Sequence, residues 1–77
     1  MATLPLHVLV IDDDADTRLN LSDILELDAY RVETAGTAAE ALARHNWPQF
    51  GAIILDRKLP DGTAEELLPR LRRLGRF

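Results

Sequence analysis

Two short stretches of this chain are apolar at every position, Val8-Leu-Val-Ile11 and Ala52-Ile-Ile-Leu55, and each stops abruptly at an aspartate, Asp12 and Asp56. Runs of four apolar residues rich in β-branched side chains predict strands covered on both faces, the kind found inside parallel sheets. Between them the period changes. Leu21, Ile24 and Leu25 recur at helical spacing among Arg18, Asn20, Asp23 and Glu26, which predicts an amphipathic helix over 15–28, with Leu19 and Leu27 widening its apolar face. Residues 30–35 alternate and predict a more polar strand, suited to an edge; Gly36 then breaks the chain. Thr37-Ala-Ala-Glu40 has the spacing of a capping box and opens a short alanine-rich helix through about His45, ended by Trp47-Pro48 because the residue before proline avoids the helical region. Residues 57–62 read as a turn. Thr63-Ala-Glu-Glu66 is a second capping box, followed by the stripe Leu67, Leu68, Leu71 and Leu74. Pro69 removes one backbone bond from that helix and predicts a kink or a local tightening, and Gly75 is placed as its C-cap.

The order is therefore βαβαβα, which implies a parallel sheet with right-handed crossovers. The polar second strand at an edge gives strand order 2-1-3. That order leaves the third strand at the opposite edge, where a flat apolar strand is an aggregation hazard, so strand 3 is expected to recruit a neighbouring surface.

Charge is local. Nine Lys and Arg against thirteen Asp and Glu give a net charge of −4, and four of the acids are Asp12, Asp13, Asp14 and Asp16. Without that cluster the chain would be neutral, so the acidity is a site and not a surface. Arg70, Arg72, Arg73 and Arg76 stand near the C-terminal end of the last helix, where cations suit the helix dipole; they are read as a solvated face, not as a nucleic-acid contact. No cysteine is present among the 77 residues, which excludes a disulfide staple and a Cys-based zinc site in a chain small enough to need support. No apolar run approaches the roughly 20 residues of a membrane span. The start has no basic and apolar leader, and a cytoplasmic location is expected. His7 and His45 are read as surface residues, and Trp47 and Phe50 as a cover over the core.

In an open parallel sheet ligands bind beyond the carboxyl ends of the strands, where the strand order reverses. Strands 1 and 3 are neighbours in the order 2-1-3, so Asp12, Asp13 and Asp56 are expected in one crevice. Three carboxylates there repel one another, and a hard divalent cation such as Mg²⁺ relieves the conflict. A carboxylate beside bound Mg²⁺ is also a competent phosphoryl acceptor. Asp14 or Asp16 is expected to cap the helix that follows. Two other readings of the acids fit less well. Asp12-x-Asp14 matches the start of a haloacid-dehalogenase-like motif, but Asp16 stands where Thr or Val is needed. Asp12, Asp14, Asp16 and Asp23 match positions 1, 3, 5 and 12 of a calcium loop, but Thr17 replaces its glycine and a strand precedes it.

With those residues in view, Val8-Leu-Val-Ile-Asp-Asp-Asp14, Thr34-Ala-Gly-Thr-Ala-Ala-Glu-Ala-Leu42 and Ile54-Leu-Asp-Arg-Lys-Leu-Pro-Asp-Gly62 resemble the receiver domain of two-component response regulators, over residues 6–75. The resemblance implies a flavodoxin-like α/β fold, here one partial domain over 1–77 without strands 4 and 5. It implies Asp56 as the residue phosphorylated by a histidine kinase or phosphotransfer protein. It implies Asp13 as a direct Mg²⁺ ligand, Asp12 as a second acid acting largely through water, and the Lys58 backbone carbonyl as part of the metal shell. Pro60 and Gly62 would shape the loop. The family's switch Ser/Thr and its phosphate-binding lysine have no counterpart in these residues. The expected role is a phospho-accepting signalling module rather than a classical enzyme, joined to an output or kinase domain in a longer chain. The competing role is a dimerising half-domain that pairs through strand 3 and accepts no phosphate.

Overall fold

The computed structural model describes residues 6–44 and 47–74. Its elements are β1 (His7–Ile11), α1 (Ala15–Leu27), β2 (Arg31–Ala35), α2 (Ala38–Leu42), a 3-10 turn (Trp47–Gln49), β3 (Ala52–Leu55), β4 (Lys58–Leu59), β5 (Gly62–Thr63) and α3 (Ala64–Leu74). The first three strands form a parallel sheet in the order β2-β1-β3. This is the order expected from the polar second strand.

β1 is central, and the reason is visible in its side chains. Val8, Leu9, Val10 and Ile11 are all buried, since the strand has a neighbour on each side and helices over both faces. Leu9 and Ile11 point to one face, where they pack with Ala35, Ala38, Ala41, Trp47, Phe50, Leu59, Leu67 and Leu71. α2, α3 and the 3-10 turn supply that layer. Trp47 and Phe50 are members of it rather than a cover over it. Their rings meet edge to face at 5.5 Å, and the Trp47 indole N–H donates to the Ala41 carbonyl at 3.0 Å.

Among the described residues the opposite face carries only α1, which packs on β2 and β1. None of its residues is buried. Ile24, expected on its inner face, is 58% exposed and Leu27 86% exposed, while Leu21 and Leu25 are half-buried. Among the described residues nothing else covers the far flank of α1, so only the part of its apolar stripe lying over the sheet is shielded. β3 shows the same asymmetry. It pairs with β1 on one side only, and Ile54 is 37% exposed.

The helix ends follow local chemistry. Asp14, not Asp16, caps α1, accepting from the Thr17 amide at 3.2 Å. The other end of α1 closes in a Schellman arrangement. Ala29 N–H donates to Glu26 O and Tyr30 N–H to Leu25 O, with Ala29 at φ 67° in the left-handed region usually given to glycine. Thr37 and Thr63 cap α2 and α3 through the Glu40 and Glu66 amides, as their boxes predict. In the first box the Glu40 carboxylate reaches back one residue further than usual, to the Gly36 amide at 2.9 Å.

Three expectations are corrected. Helix α2 ends at Leu42, with Ala43 as its C-cap; His45 and the Gly75 cap lie outside the described residues. Residues 57–62 are not a plain turn. Lys58 and Leu59 pair antiparallel with Thr63 and Gly62, because Leu59 is drawn into the core and Pro60-Asp61 reverse the chain in two residues. His7 is no simple surface residue: Nε2 lies 2.7 Å from the Glu33 carboxylate and its ring packs against Phe50 at 4.7 Å. Arg44 binds the other oxygen of Glu33. α3 runs as one helix from Ala64 to Leu74 with Pro69 inside it.

Candidate metal and acceptor site

The register of the sheet builds the site. Ile11 is level with Leu55 across the β1–β3 pair, so the next residue of each strand, Asp12 and Asp56, emerges side by side at the carboxyl edge. The Asp56 amide donates to Ile11 O at 2.8 Å and the Asp12 amide to Ala35 O at 3.0 Å, which holds both turns against the sheet. Asp12 and Asp56 are half-buried and Asp13 is exposed. One carboxylate oxygen from each lies within 4.8 Å of the others.

Neighbouring groups fix the floor of this crevice. Asp12 Oδ1 accepts from the Asp14 amide at 2.9 Å, so the residue that caps α1 also pins Asp12. The Arg18 guanidinium donates to the Asp12 carbonyl at 2.6 Å, which ties α1 to the end of β1. Asp14 itself is held below the ordinary carboxylate range, chiefly by the Thr17 hydroxyl and amide. Its lone pairs are thus committed to the helix, and Asp16 lies outside the convergent set.

The donor set fits a small hard cation. Mg²⁺ takes oxygen ligands at about 2.1 Å in an octahedron, which puts its ligands about 3 Å apart in cis and about 4.2 Å apart in trans. Oxygens within 4.8 Å of one another need only a small contraction, or one intervening water, to meet that shell. The ladder of the next two strands sets the direction of the Lys58 carbonyl. Ala64 N–H donates to Arg57 O at 2.9 Å, and since hydrogen-bonded and open pairs alternate in an antiparallel ladder, the carbonyl of Lys58 faces away from β5. The Lys58 side chain is exposed.

Comparison with known proteins decides the family. The model of the response regulator receiver domain matches residues 8–76, nearly the whole chain. This chain belongs to the response regulator receiver family. The receiver is 34% identical over 68 residues to a transcriptional regulatory protein, a CpxR homolog, of Haemophilus influenzae; the match covers 88% of this chain and 30% of that protein. Among solved structures it is similar to the chemotaxis response regulator CheY4 of Vibrio cholerae (TM-score 0.83, 35% identity, 90% of this chain and 57% of that one). It is also similar to the response regulator TrrA of Thermotoga maritima in complex with Mg²⁺ and BeF (TM-score 0.79, 28% identity, 88% and 59%). The receiver thus spans a little over half the length of these solved chains and about a third of its curated relative. No described helix is long and apolar enough to cross a membrane.

Sequence reasoning missed the role of one residue in the loop after Asp56. Asp61, read only as a turn residue, places its two carboxylate oxygens on the Ala38 and Ala39 amides, at 2.8 and 2.9 Å. The two bonds join residues 22 and 23 positions apart, so no local spacing announces them.

Proposed function

We propose that this chain is a phospho-accepting receiver module in a two-component pathway, with Asp56 as the acceptor. The convergence of Asp12, Asp13 and Asp56 within 4.8 Å at the carboxyl edge of β1 and β3 carries the reading. The donor is a phosphohistidine of a histidine kinase or phosphotransfer protein. Its N–P bond breaks as an oxygen of Asp56 forms the new P–O bond, and the leaving imidazole keeps the electron pair. Asp56 stands at the end of β3 with its amide on Ile11 O, which holds its backbone at the edge where the three carboxylates converge. Asp12, Asp13, Asp56 and the Lys58 carbonyl would hold Mg²⁺, which when bound offsets the charge on the transferring oxygens. TrrA, a similar response regulator, is solved in complex with Mg²⁺ and BeF, which supports Mg²⁺ as the cation. A fused output or kinase domain and a cytoplasmic setting belong to the same proposal.

Incubation with a small phosphodonor and Mg²⁺, read by intact-protein mass, is expected to label the wild type and not Asp56→Ala, and chelation of Mg²⁺ is expected to abolish labelling. Equal label on Asp56→Ala, or a wild type that takes none, refutes the assignment.

A second reading rests on the open edge of β3 and the exposure of Ile54. In it two copies pair through β3, continuing the sheet, and the module serves as an interaction surface. Light scattering is expected to show a dimer that Ile54→Lys converts to monomer. A folded wild-type monomer at all concentrations excludes this reading.

A further inference from the structure

We propose that Asp61 is a positioning residue for the metal and acceptor site, acting by tying the ribbon that carries Lys58 to the start of α2. The inference rests on the phospho-acceptor reading and adds to it a residue remote from the three convergent acids. The ribbon β4–β5 is short. Its own fastenings are the pairing of two residues on each side, the Ala64–Arg57 backbone bond, an exposed Arg57–Glu65 ion pair at its base and the burial of Leu59. A ribbon this small is marginal without support from another element. Its tip, Pro60-Asp61, receives that support from Asp61 alone among the described side chains of the loop.

The receiving end is rigid. Ala38 and Ala41 of α2 are buried in the core cluster, so the amides that Asp61 grips do not drift. The other early donors of α2 are already occupied. Thr37 Oγ1 accepts from Glu40 N–H, Thr37 O from Ala41 N–H, and the Glu40 carboxylate from Gly36 N–H. Asp61 therefore supplies the missing acceptors for Ala38 and Ala39 and places a negative charge at a helix N-terminus. The same two amides, Ala38 first and Ala39 next, hold its carboxyl below the ordinary range. The mechanical result is a closed circuit. α2 fixes Asp61, Asp61 fixes the ribbon, and the ribbon fixes where the Lys58 carbonyl points relative to Asp56.

The test compares Asp61→Ala and Asp61→Asn with Thr37→Ala. Thr37→Ala weakens the same end of α2 without touching the ribbon. Mg²⁺ binding to the full chain is measured by titration calorimetry, beside amide exchange at Ala38, Ala39 and the ribbon. Loss of a group that orients a metal ligand costs about tenfold or more in affinity. Asp61→Ala is therefore expected to weaken Mg²⁺ by about that factor and to speed exchange in the ribbon, with Asp61→Asn between it and wild type. Thr37→Ala is expected to speed exchange in α2 while keeping wild-type Mg²⁺ affinity. If Asp61→Ala and Thr37→Ala weaken Mg²⁺ equally, or neither does while wild type binds, Asp61 is only a helix cap and the proposal fails. If wild type binds no Mg²⁺, the site reading fails and takes this proposal with it. Should Asp61→Ala not fold, Asp61→Asn decides by the same comparison.

Discussion

Replacing Asp13 by asparagine is expected to stabilise the metal-free protein and to remove its response to Mg²⁺. Asp13 is the exposed member of three acids whose oxygens lie within 4.8 Å of one another. At that separation a pair of like charges in water costs about 0.9 kcal/mol, and more wherever the surroundings are less polar. Asp12 and Asp13 are adjacent in sequence and repel in the unfolded chain as well, so their pair largely cancels. The Asp13–Asp56 pair exists only once β1 and β3 lie side by side, and it is the one that opposes folding. The expected gain is thus about 1 kcal/mol at low ionic strength, or about 4–8 °C in Tm for a domain of this size. At 0.15 M salt the Debye length of about 8 Å cuts the gain to roughly half. Mg²⁺ reverses the ranking. At ten times its Kd a ligand adds about 1.4 kcal/mol to a protein that binds it, so wild type overtakes the variant as Mg²⁺ is added. Thermal melts followed by circular dichroism, with and without Mg²⁺ at two salt concentrations, check this. Melting curves that do not cross, because Asp13→Asn is no more stable than wild type without metal and keeps the same Mg²⁺ shift, would refute the reasoning.

Three further outcomes are expected. Ala29→Gly should stabilise by roughly 0.5–1 kcal/mol, since a left-handed Ala costs about 1–2 kcal/mol and glycine returns part of that as backbone entropy; denaturant midpoints measure it. Leu71→Ala empties a fully buried position under α3 and should cost about 2–5 kcal/mol, enough to leave a small domain largely unfolded by urea titration at 25 °C. Asp14 and Asp61 have folded pKa values below 3.8, set first by the Thr17 hydroxyl and by the Ala38 amide respectively. Their stabilisation is therefore present above pH 3.8 and lost as pH falls through the folded values, so Asp14→Asn and Asp61→Asn should each flatten the acid limb of stability below that pH, read from melts between pH 5 and 2.

Much of this architecture is written in local pattern. Val8–Ile11 and Ala52–Leu55 announce themselves as strands by unbroken apolar runs, but only Val8–Ile11 is buried on both faces, while β3, at the open edge, has no buried residue; Arg31–Ala35 announces an edge by its alternation. Thr37, Thr63 and Asp14 signal helix starts because capping acts over three residues. Asp12, Asp13 and Asp56 could be set in one crevice as soon as the strand order was inferred, since parallel strands end together. Their oxygen separation, and its fit to a Mg²⁺ shell, is set by the folded sheet. Contacts between side chains of one element and another were not legible at all. The reach of Asp61 to Ala38 and Ala39, the Glu33 carboxylate shared by His7 and Arg44, and the Trp47 N–H on Ala41 O join residues that no periodicity connects. The exposure of Ile24 was hidden for a related reason. An apolar stripe states which face of a helix prefers shelter, but only the packed sheet decides how much of that face finds it. Sequence alone thus determined the elements, their order and the acids of the site, because these follow from interactions within a few residues or from strand direction. Tertiary structure decided which side chains hold those elements in place, because that depends on what folding brings next to them.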